Sequence, residues 1–524
     1  MKMKKFMACA AAGALLVSML AGCGGDNADT NTATQAGSEE DLAYKVSDDP
    51  IELTFFYAGL NGTTPFEDDY PVFTEAARLT NVTLTGTVPT TNTDPYQAFN
   101  TMMASGELDD VVTANKSDFD QYAGQGAFIP LEELIEEYAP NIKAFLDENP
   151  DVKKGITSFD GHIYFLPRYE NSGTAKGWYI RKDWLEALNL EEPQTVDEVY
   201  NVLKAFKEQD PNGNGQQDEV PFFNREGTMS DIYNLFGIRQ NFSINEETGK
   251  VQYSKYVPEY KTAVENAAKW YAEGLIDQEI FTRGANSREE LLGNNTGGMT
   301  HDWFTSTSSY NEKLQESVPG INFDVIAPPA DINGDVWEDT NRTQEYVGWG
   351  ISATNEYPEE TIKYFDFWYT ESGKRLYNYG VEGVHYNLID GQPEYTSDFL
   401  ATDKSMTAVW NENGMALFIG GYKEFNAERQ FMSEEALVGM DLYTNNNYIK
   451  DAFPSLPFSE EERKVISDTL PAVQSYMDEQ EQKWIMGTED VNSTFDQYME
   501  TCKNLGMDDV LAAYDSAYQR YLSN

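Results

Sequence analysis

The sequence predicts an α/β fold with a parallel sheet near its N-terminal end. Three stretches have the alternating or continuously apolar pattern of strands: residues 51–57, 82–88 and 109–112. Residues 70–79 and 96–105, which separate them, have the apolar spacing of helices. Strand–helix–strand–helix–strand order is typical of a parallel sheet covered by helices. We therefore expect an α/β layer to begin at Ile51.

The first 22 residues have the pattern of a secretory signal peptide. Three lysines at positions 2, 4 and 5 precede an apolar run from Phe6 to Leu20, which is too short to span a bilayer as a mature helix. Leu20, Ala21 and Gly22 then precede Cys23, a pattern that resembles the lipobox of bacterial lipoproteins. The resemblance implies that Cys23 becomes the first mature residue and carries acyl chains such as palmitate.

Two or three acyl chains anchor a protein to a membrane stably. Residues 23–49 are mostly Gly, Asn, Asp, Thr, Ser and Glu, which predicts a flexible tether on the outer face of the cell membrane. The alternative is a plainly secreted protein with a cysteine at this position by chance.

Charge and cysteine content exclude several classes of function. The chain has 524 residues and a formal net charge of -51, and loss of residues 1–22 with their three lysines makes it more negative still. Such a surface disfavours nucleic acid, because binding to phosphates needs a basic patch. Cys9 leaves with the signal and Cys23 is acylated, so Cys502 has no intramolecular disulfide partner. The fold must therefore be stabilised by its apolar core.

Several motifs, in order, resemble the family 1 extracellular solute-binding proteins, the lipoprotein substrate-binding components of carbohydrate ABC transporters. They begin with Gly-His-Ile-Tyr-Phe-Leu-Pro at 161–167 and Tyr-Ile-Arg-Lys-Asp-Trp-Leu at 179–185. They continue with Gly-Gly-Met-Thr-His-Asp-Trp at 297–303 and Tyr-Val-Gly-Trp-Gly-Ile-Ser at 346–352, and end with the helix of residues 504–521. The resemblance is greatest to the large, oligosaccharide-binding subgroup.

The resemblance implies a two-lobe periplasmic-binding-protein-like fold (type II), with discontinuous lobes joined by a hinge that the chain crosses several times. We assign residues 50–168 and 331–378 to lobe 1, and residues 169–330 and 379–524 to lobe 2. Closure of the lobes on a ligand is how such proteins present a shape that a membrane partner recognises.

Residues 210–219, Asp-Pro-Asn-Gly-Asn-Gly-Gln-Gln-Asp-Glu, match the first part of a calcium-binding loop. Oxygen side chains stand at positions 1, 3 and 5, and glycine at position 6. Position 12 is Pro221 instead of the usual glutamate. Related members carry a similar loop with structural Ca²⁺, which implies the ligands Asp210, Asn212, Asn214, Gln216 through its carbonyl, Asp218 and Glu219. A simple Gly/Asn-rich turn is the alternative.

Sugar capture needs flat apolar faces for the ring C–H groups and planar polar groups for the hydroxyls. The tryptophan of the Gly-Gly-Met-Thr-His-Asp-Trp motif commonly lines the sugar cleft in relatives, which implies that role for Trp303. The other candidates lie beside it or near the predicted lobe crossings, although each aromatic could instead pack in the core: Asp302, Arg168, Glu170, Trp178, Trp349, Tyr57, Asn61, His385 and Tyr386.

Enzymatic alternatives find little support in the sequence. The three histidines have no paired metal spacing, and neither a Gly-x-Ser-x-Gly elbow nor a phosphate-binding loop is present. A glycoside hydrolase needs two cleft carboxylates, and the 88 acidic residues leave that possibility open. A surface glycan sensor or adhesin is a further alternative. The sequence predicts a non-enzymatic, lipid-anchored receptor that delivers an oligosaccharide to ABC permease subunits, while peptides or other solutes remain possible ligands.

Overall fold

The structure is a computed structural model that describes residues 44–59, 64–89, 94–171, 176–239, 241–340, 346–402 and 404–523. The predicted signal peptide, Cys23, most of the tether and Asn61 lie outside the described residues. Residues 44–524 form one compact unit, which contains all the elements below.

The described residues contain sixteen strands. The first eight are β1 (Ile51–Phe56), β2 (Val82–Gly86), β3 (Val111–Asn115), β4 (Leu166–Glu170), β5 (Lys176–Arg181), β6 (Val220–Phe222), β7 (Phe242–Ile244) and β8 (Val251–Tyr253). The others are β9 (Gly297–Trp303), β10 (Phe323–Ile326), β11 (Glu338–Asp339), β12 (Val347–Ile351), β13 (Tyr386–Ile389), β14 (Gln392–Tyr395), β15 (Gly421–Lys423) and β16 (Ile449–Lys450).

Helices connect and cover these strands. Those before β10 are α1 (Pro71–Thr80), α2 (Pro95–Ser105), α3 (Lys116–Ala123), α4 (Glu132–Tyr138), α5 (Pro140–Glu148), α6 (Pro150–Ile156), α7 (Lys182–Leu188), α8 (Val196–Glu208), α9 (Ser230–Asn234), α10 (Tyr260–Ala272), α11 (Ile280–Arg283), α12 (Ser287–Gly293), α13 (Phe304–Thr307) and α14 (Tyr310–Leu314). Those after β10 are α15 (Pro358–Phe367), α16 (Glu371–Tyr379), α17 (Ser397–Leu400), α18 (Met406–Asn413), α19 (Phe425–Arg429), α20 (Glu434–Asn445), α21 (Glu460–Ile485), α22 (Val491–Asn504) and α23 (Met507–Ser523).

The first sheet has the strand order β15-β4-β12-β3-β1-β2. Strand β1 pairs in parallel with both β2 and β3, as the strand–helix alternation predicted. Strand β12 enters antiparallel between β3 and β4, so the sheet as a whole is mixed. Helix α1 follows β1 with Pro71 at its first turn and ends at Thr80, and the next residue, Asn81, caps it with a left-handed φ of 65°.

The second sheet has the order β10-β5-β9-β6. Strand β5 lies antiparallel to both β9 and β10, and Lys176 pairs with Trp303 at the end of the sheet. Strand β5 ends at Arg181, and helix α7 begins at the next residue, Lys182. The Arg181 guanidinium donates to Asp183 in the first turn of that helix, at 2.8 and 2.6 Å.

Three apolar cores define two lobes, each lobe built from discontinuous segments. The first lobe's core spans residues 51–169 and 349–427, and the second lobe's cores span residues 178–326 and 436–517. The chain therefore crosses between lobes after β4, before β12 and after α19.

The cores divide the chain differently from the predicted boundaries at two crossings. Residues 379–427 pack in the first lobe. There the ring centroids of Tyr386 and Tyr395 lie 5.8 and 5.4 Å from that of Tyr379. Residues 331–340 pack on the second lobe, since the Ile332 amide donates to the Leu235 carbonyl oxygen and β11 pairs with β16.

Candidate ligand site between the lobes

A cavity of about 770 Å³ opens between the two lobes near the first crossing. The first lobe contributes Asp151, Arg168, Tyr169, Glu170 and Tyr346. The second lobe contributes residues from the β7 strand, the β11 and β16 pair, the segment 451–455 and the C-terminal helix α23. This volume suits a ligand of several rings, and an interlobe position is common for small-molecule sites.

Arg168 and Glu170 project from the same face of β4, because residues two apart on a strand share a face. The Arg168 guanidinium forms an ion pair with Glu170 at 2.9 Å and lies 4.3 Å from the centre of the Phe418 ring. Burial alone favours the neutral acid, but Arg168 and Lys423 hold the pKa of Glu170 below its ordinary value. Glu170 is therefore an ionised hydrogen-bond acceptor held in place by two cations.

On the opposite wall, Arg239 is held by the short strand pair β11 and β16. Its Nε and Nη2 donate to Oδ1 of Asp339 at 3.0 and 2.7 Å, and Nη2 also donates to the Asp451 carbonyl oxygen at 3.0 Å. Arg239 thus ties the loop after β16 to β11. The wall offers an oriented guanidinium and a carboxylate, both about one-third exposed.

Aromatic rings supply the apolar part of the cavity. Tyr346 lies against Gly155, where a Cβ atom would approach the ring to 2.6 Å, so glycine permits this contact. Tyr518 and Tyr521 of α23 line the second lobe's side. Phe242 lines the same cavity, and its ring stacks on Tyr514 with centroids 3.7 Å apart.

A second cavity, of about 680 Å³, lies between helix α3 of the first lobe and helix α21 of the second. Phe242, Phe453, Pro454 and Ser455 line both cavities. The two spaces therefore share one wall, the segment that follows β16.

Trp303 differs from every other tryptophan of the chain. All nine tryptophans lie in the described residues; eight are exposed by 8% or less, whereas Trp303 is exposed by 37%. It ends β9, and the ammonium of Lys176 lies 5.6 Å from its ring centre. Lys176 begins β5, directly after the crossing that Glu170 precedes, although Trp303 does not line the 770 Å³ cavity.

Asp302, predicted beside Trp303 as a ligand for hydroxyls, is 2% exposed and already paired. Its carboxylate accepts from Nε of Arg225 at 2.9 and 3.0 Å and lies 3.3 Å from Nη1 of Arg288. In this geometry it positions the strand end that carries Trp303.

His301, two residues before Trp303, is buried between two carboxylates. Nδ1 lies 2.8 Å from Oδ1 of Asp231, and Nε2 lies 2.8 Å from Oε2 of Glu338. Burial opposes the charged imidazolium, but Glu338 and Asp231 together raise the pKa of His301 to about 10. Because Glu338 belongs to β11, this ion triad connects β9 to the wall that carries Asp339.

Three predicted aromatic ligands lie in the cores instead. Trp349 is fully buried and stacks on Phe365 with centroids 4.1 Å apart. Trp178 is 3% exposed and packs on the His301 ring, and Tyr57 is 1% exposed with its hydroxyl accepting from the Phe418 amide. None of the three has a ring face open to the cavity.

His385 and Tyr386 are also buried in the first lobe and do not line the interlobe cavity. Nδ1 of His385 accepts from the Val381 amide at 2.9 Å, and burial lowers the pKa of this histidine. Of the predicted ligand residues, the structure brings together Arg168 and Glu170 in the cavity and exposes Trp303 beside the first crossing.

Several cavity residues carry no signal that a single sequence can supply. Arg239, Asp339, Tyr346, Asp451 and Tyr518 come from widely separated positions and lie in short strands, loops and one helix. Their convergence follows from the way that the chain returns to the cleft after each crossing.

The predicted calcium loop lies in the second lobe, between α8 and β6. Asp210 accepts from the amides of Asn214 and Gly215 at 3.1 and 2.9 Å, and the Asn214 side chain donates to Asp218. Gly213 and Gly215 have φ of 70° and 79°, which glycine adopts without strain. In the described geometry, no three acidic, histidine or cysteine side chains converge on one metal position.

Glu219 supplies the observation that fits a cation in this loop. The residue is 1% exposed, and within the described part of the chain neither carboxylate oxygen has a hydrogen-bond partner. Burial, followed by the charges of Asp218 and Asp210, raises its pKa. Oxygen donors from acids and amides are what Ca²⁺ prefers, so the residues at hand fit that ion.

Residues 67–375 match the family described as bacterial extracellular solute-binding protein. Among the described helices, none combines the length and apolar composition needed to cross a bilayer.

Two curated relatives extend the match over most of the chain. The fructooligosaccharide ABC transporter substrate-binding protein FusA of Streptococcus pneumoniae serotype 4 is 27% identical over 458 residues, covering 80% of this chain and 82% of FusA. The polygalacturonan/rhamnogalacturonan-binding protein YtcQ of Bacillus subtilis is 24% identical over 453 residues, covering 80% of this chain and 82% of YtcQ.

Among solved structures, the alginate-binding protein AlgQ2 without calcium ion is 38% identical, with a TM-score of 0.77. That likeness covers 91% of this chain and 100% of AlgQ2. FusA in complex with kestose is 25% identical with a TM-score of 0.71, covering 90% of this chain and 100% of FusA. These matches confirm the predicted two-lobe, periplasmic-binding-protein-like fold.

Proposed function

The chain belongs to the family of bacterial extracellular solute-binding proteins, and we propose that it captures an oligosaccharide between its lobes for an ABC importer. The observation that carries the proposal is the interlobe cavity, which combines tyrosine rings with oriented charged groups. Relatives named for fructooligosaccharide, alginate and galacturonan binding support a sugar as the ligand, and an ABC transporter permease as the partner.

The chemistry of the cavity supports binding and release of an intact ligand. Glu170 and Asp339 are carboxylates held by arginines, suited to accept hydrogen bonds from hydroxyls. A glycosidase needs one carboxylic acid with a raised pKa to protonate the leaving oxygen. The lowered pKa of Glu170 opposes that role for this residue.

We place the protein on the outer face of the cell membrane, anchored through Cys23. In this proposal the lipid holds the folded part close to the permease while residues 24–49 give it reach.

Replacing the lipidated cysteine tests the anchor. We expect Cys23→Ala to move the protein from the membrane pellet to the medium, because no acyl chain is then attached. Cell fractionation with immunoblotting measures the change, and Cys9→Ala in the signal peptide is the matched control that stays in the pellet. Retention of Cys23→Ala in the membrane fraction would refute lipid anchoring at this position.

We propose that the loop of residues 210–219 holds a structural Ca²⁺. The side chains of Asp210, Asn212, Asn214, Asp218 and Glu219, with the Gln216 carbonyl, are the proposed ligands. When bound, the ion would neutralise the buried Glu219 carboxylate and stiffen the connection between α8 and β6.

Trp303 is the proposed stacking surface for a sugar ring at the mouth of the cleft. Trp303→Ala should weaken sugar affinity by about 1–3 kcal/mol, since it removes the apolar surface that a sugar face would cover. Isothermal titration calorimetry measures the loss.

Phe159→Ala is the matched control, because Phe159 is 50% exposed and lies between α6 and β4, outside the strand pair β5 and β9 that carries Trp303. The sugar affinity of Phe159→Ala should equal that of the wild type. Equal affinities for the wild type and Trp303→Ala would remove Trp303 from the site.

A further inference from the structure

We infer that the ligand is an uncharged oligosaccharide and not an oligomer of uronic acids. The inference rests on the proposed function and follows from the charges that surround the interlobe cavity. It distinguishes neutral oligosaccharides from oligomers of uronic acids, because the relatives are named for ligands of both classes.

Acidic side chains outnumber basic ones among the described residues that line the cavity. The basic residues are Arg168, Arg239 and Lys450, whereas the acidic residues are Asp151, Glu170, Glu246, Asp339 and Asp451. A carboxylated ligand would therefore enter a cavity of its own sign.

The cations that face the cavity already have anionic partners. Arg168 is paired with Glu170 at 2.9 Å and Arg239 with Asp339 at 2.7 Å, while Lys450 lies 4.0 Å from Glu246. A ligand carboxylate would have to compete with these internal carboxylates for each guanidinium. This competition removes the electrostatic attraction that would otherwise offset the cost of desolvating a charged ligand.

The same arrangement suits hydroxyl groups. Both hydrogen bonds from Arg239 to Asp339 end on Oδ1, and among the described residues no donor reaches Oδ2. The Asp339 side chain is 32% exposed, so Oδ2 is an acceptor that a neutral sugar hydroxyl can use. A carboxylate acceptor in the wall thus favours donors on the ligand and disfavours acceptors that carry charge.

Similarity to an alginate-binding protein does not oppose the inference. Overall fold is shared across ligands of different charge, because specificity depends on the side chains that line the cleft. Alginate is a polymer of uronic acids, whereas kestose, which is bound in the FusA structure, carries no charge.

Calorimetric titration of matched trisaccharides tests the inference. The neutral probes are 1-kestose, xylotriose, maltotriose and cellotriose, and the charged probes are trigalacturonate and trimannuronate, all titrated into the chain from Asp26 onward with calcium present. We expect at least one neutral probe to bind, and both uronates to bind at least about tenfold more weakly. Raising the salt from about 20 to about 300 mM should leave the neutral affinity within about twofold.

Two other results of the titrations would contradict the inference or the proposed function. A uronate that binds as tightly as the best neutral probe, with an affinity that falls on adding salt, would overturn the inference and leave the proposed function intact. No binding by any probe would count against the oligosaccharide receptor itself.

Asp339→Asn provides an internal test, because the amide keeps the shape and an oxygen acceptor for Arg239 while removing one negative charge. We expect uronate affinity to rise several-fold relative to the neutral probe. Glu246→Gln is the second variant, for use if Asp339→Asn does not fold. The Glu246 side chain is 88% exposed at the cavity rim, so the substitution removes a charge without a buried contact. We expect it to give a smaller rise in uronate affinity. Glu356→Gln, exposed and outside the cavity lining, is the control without effect. Unchanged relative affinity in both cavity variants would contradict the electrostatic account.

Discussion

His301→Gln should lower the free energy of unfolding by about 3–5 kcal/mol, because it leaves two buried carboxylates without their shared cation. Asp231 and Glu338 are 2% and 4% exposed, so water does not replace the lost partner. Urea unfolding at pH 7 measures the loss. The double variant His301→Gln with Glu338→Gln should recover part of it, since it removes one of the two orphaned charges.

The same triad predicts how stability depends on pH. The pKa of His301 is about 10 in the folded protein, against an ordinary value of 6.5. Because the folded state binds this proton more tightly, the contribution is complete below pH 6.5 and is lost as the pH rises towards 10. The wild-type Tm should therefore fall over this interval more steeply than that of His301→Gln. Parallel pH profiles for the two proteins would exclude a charged His301.

Removing calcium should have the second largest effect. The free energy of unfolding should fall by about 3 kcal/mol relative to the protein in calcium at about 100 times its dissociation constant. The reason is the Glu219 carboxylate, which is buried with no hydrogen-bond partner among the described residues. Differential scanning calorimetry in excess calcium and in chelator measures the difference. Magnesium at the same concentration is a control that should substitute poorly, since it prefers a smaller and more regular site.

Glu219→Gln should reverse the order of stability between the two conditions. In chelator the variant should be more stable than the wild type, because an uncompensated buried charge is gone, and in calcium it should be less stable. The raised pKa of Glu219 also means that the chelated wild-type protein gains stability as the pH falls towards its ordinary value of 4.5. A variant that is equally destabilised in calcium and chelator would indicate a packing role instead of a metal ligand.

Much of the fold was predictable because its local signals agree with its tertiary contacts. Strand β1 alternates buried and exposed residues before it becomes fully buried, as its sequence indicated. Pro71 and Asn81 delimit α1 by their backbone preferences, which are independent of the rest of the chain. The parallel pairing of β1 with β2 and β3 then follows from the intervening helices.

The lobe crossings were harder to place, because they depend on which core accepts each segment. The hairpin of β13 and β14 packs on Tyr379 and stays in the first lobe, whereas residues 331–340 reach the second lobe through Glu338 and His301. Neither contact has a local sequence pattern. Which core a segment packs against depends on contacts between residues far apart in the sequence. The hydrophobic periodicity of a segment indicates only which of its own faces is buried.

The candidate site was predictable only in part for a similar reason. An aromatic residue in a motif can stack on a ligand or pack in a core, and composition does not distinguish the two. Trp349 lies between two glycines, and at Gly350 a Cβ would come within 2.5 Å of the Phe119 ring, which marks close core packing. Trp303 ends its strand beside a lobe crossing, which is why its ring remains exposed.

The most direct test of the central claim is the Tm of the chain from Asp26 onward against plant, microbial and host oligosaccharides, with calcium present. A ligand at about 100 times its dissociation constant should add about 2.7 kcal/mol to stability. The account predicts a saturable rise in Tm for one family of glycans and recovery of that glycan intact after incubation. A glycan recovered in cleaved form would contradict it in favour of a hydrolase, and no rise across the panel would contradict an oligosaccharide as the captured solute.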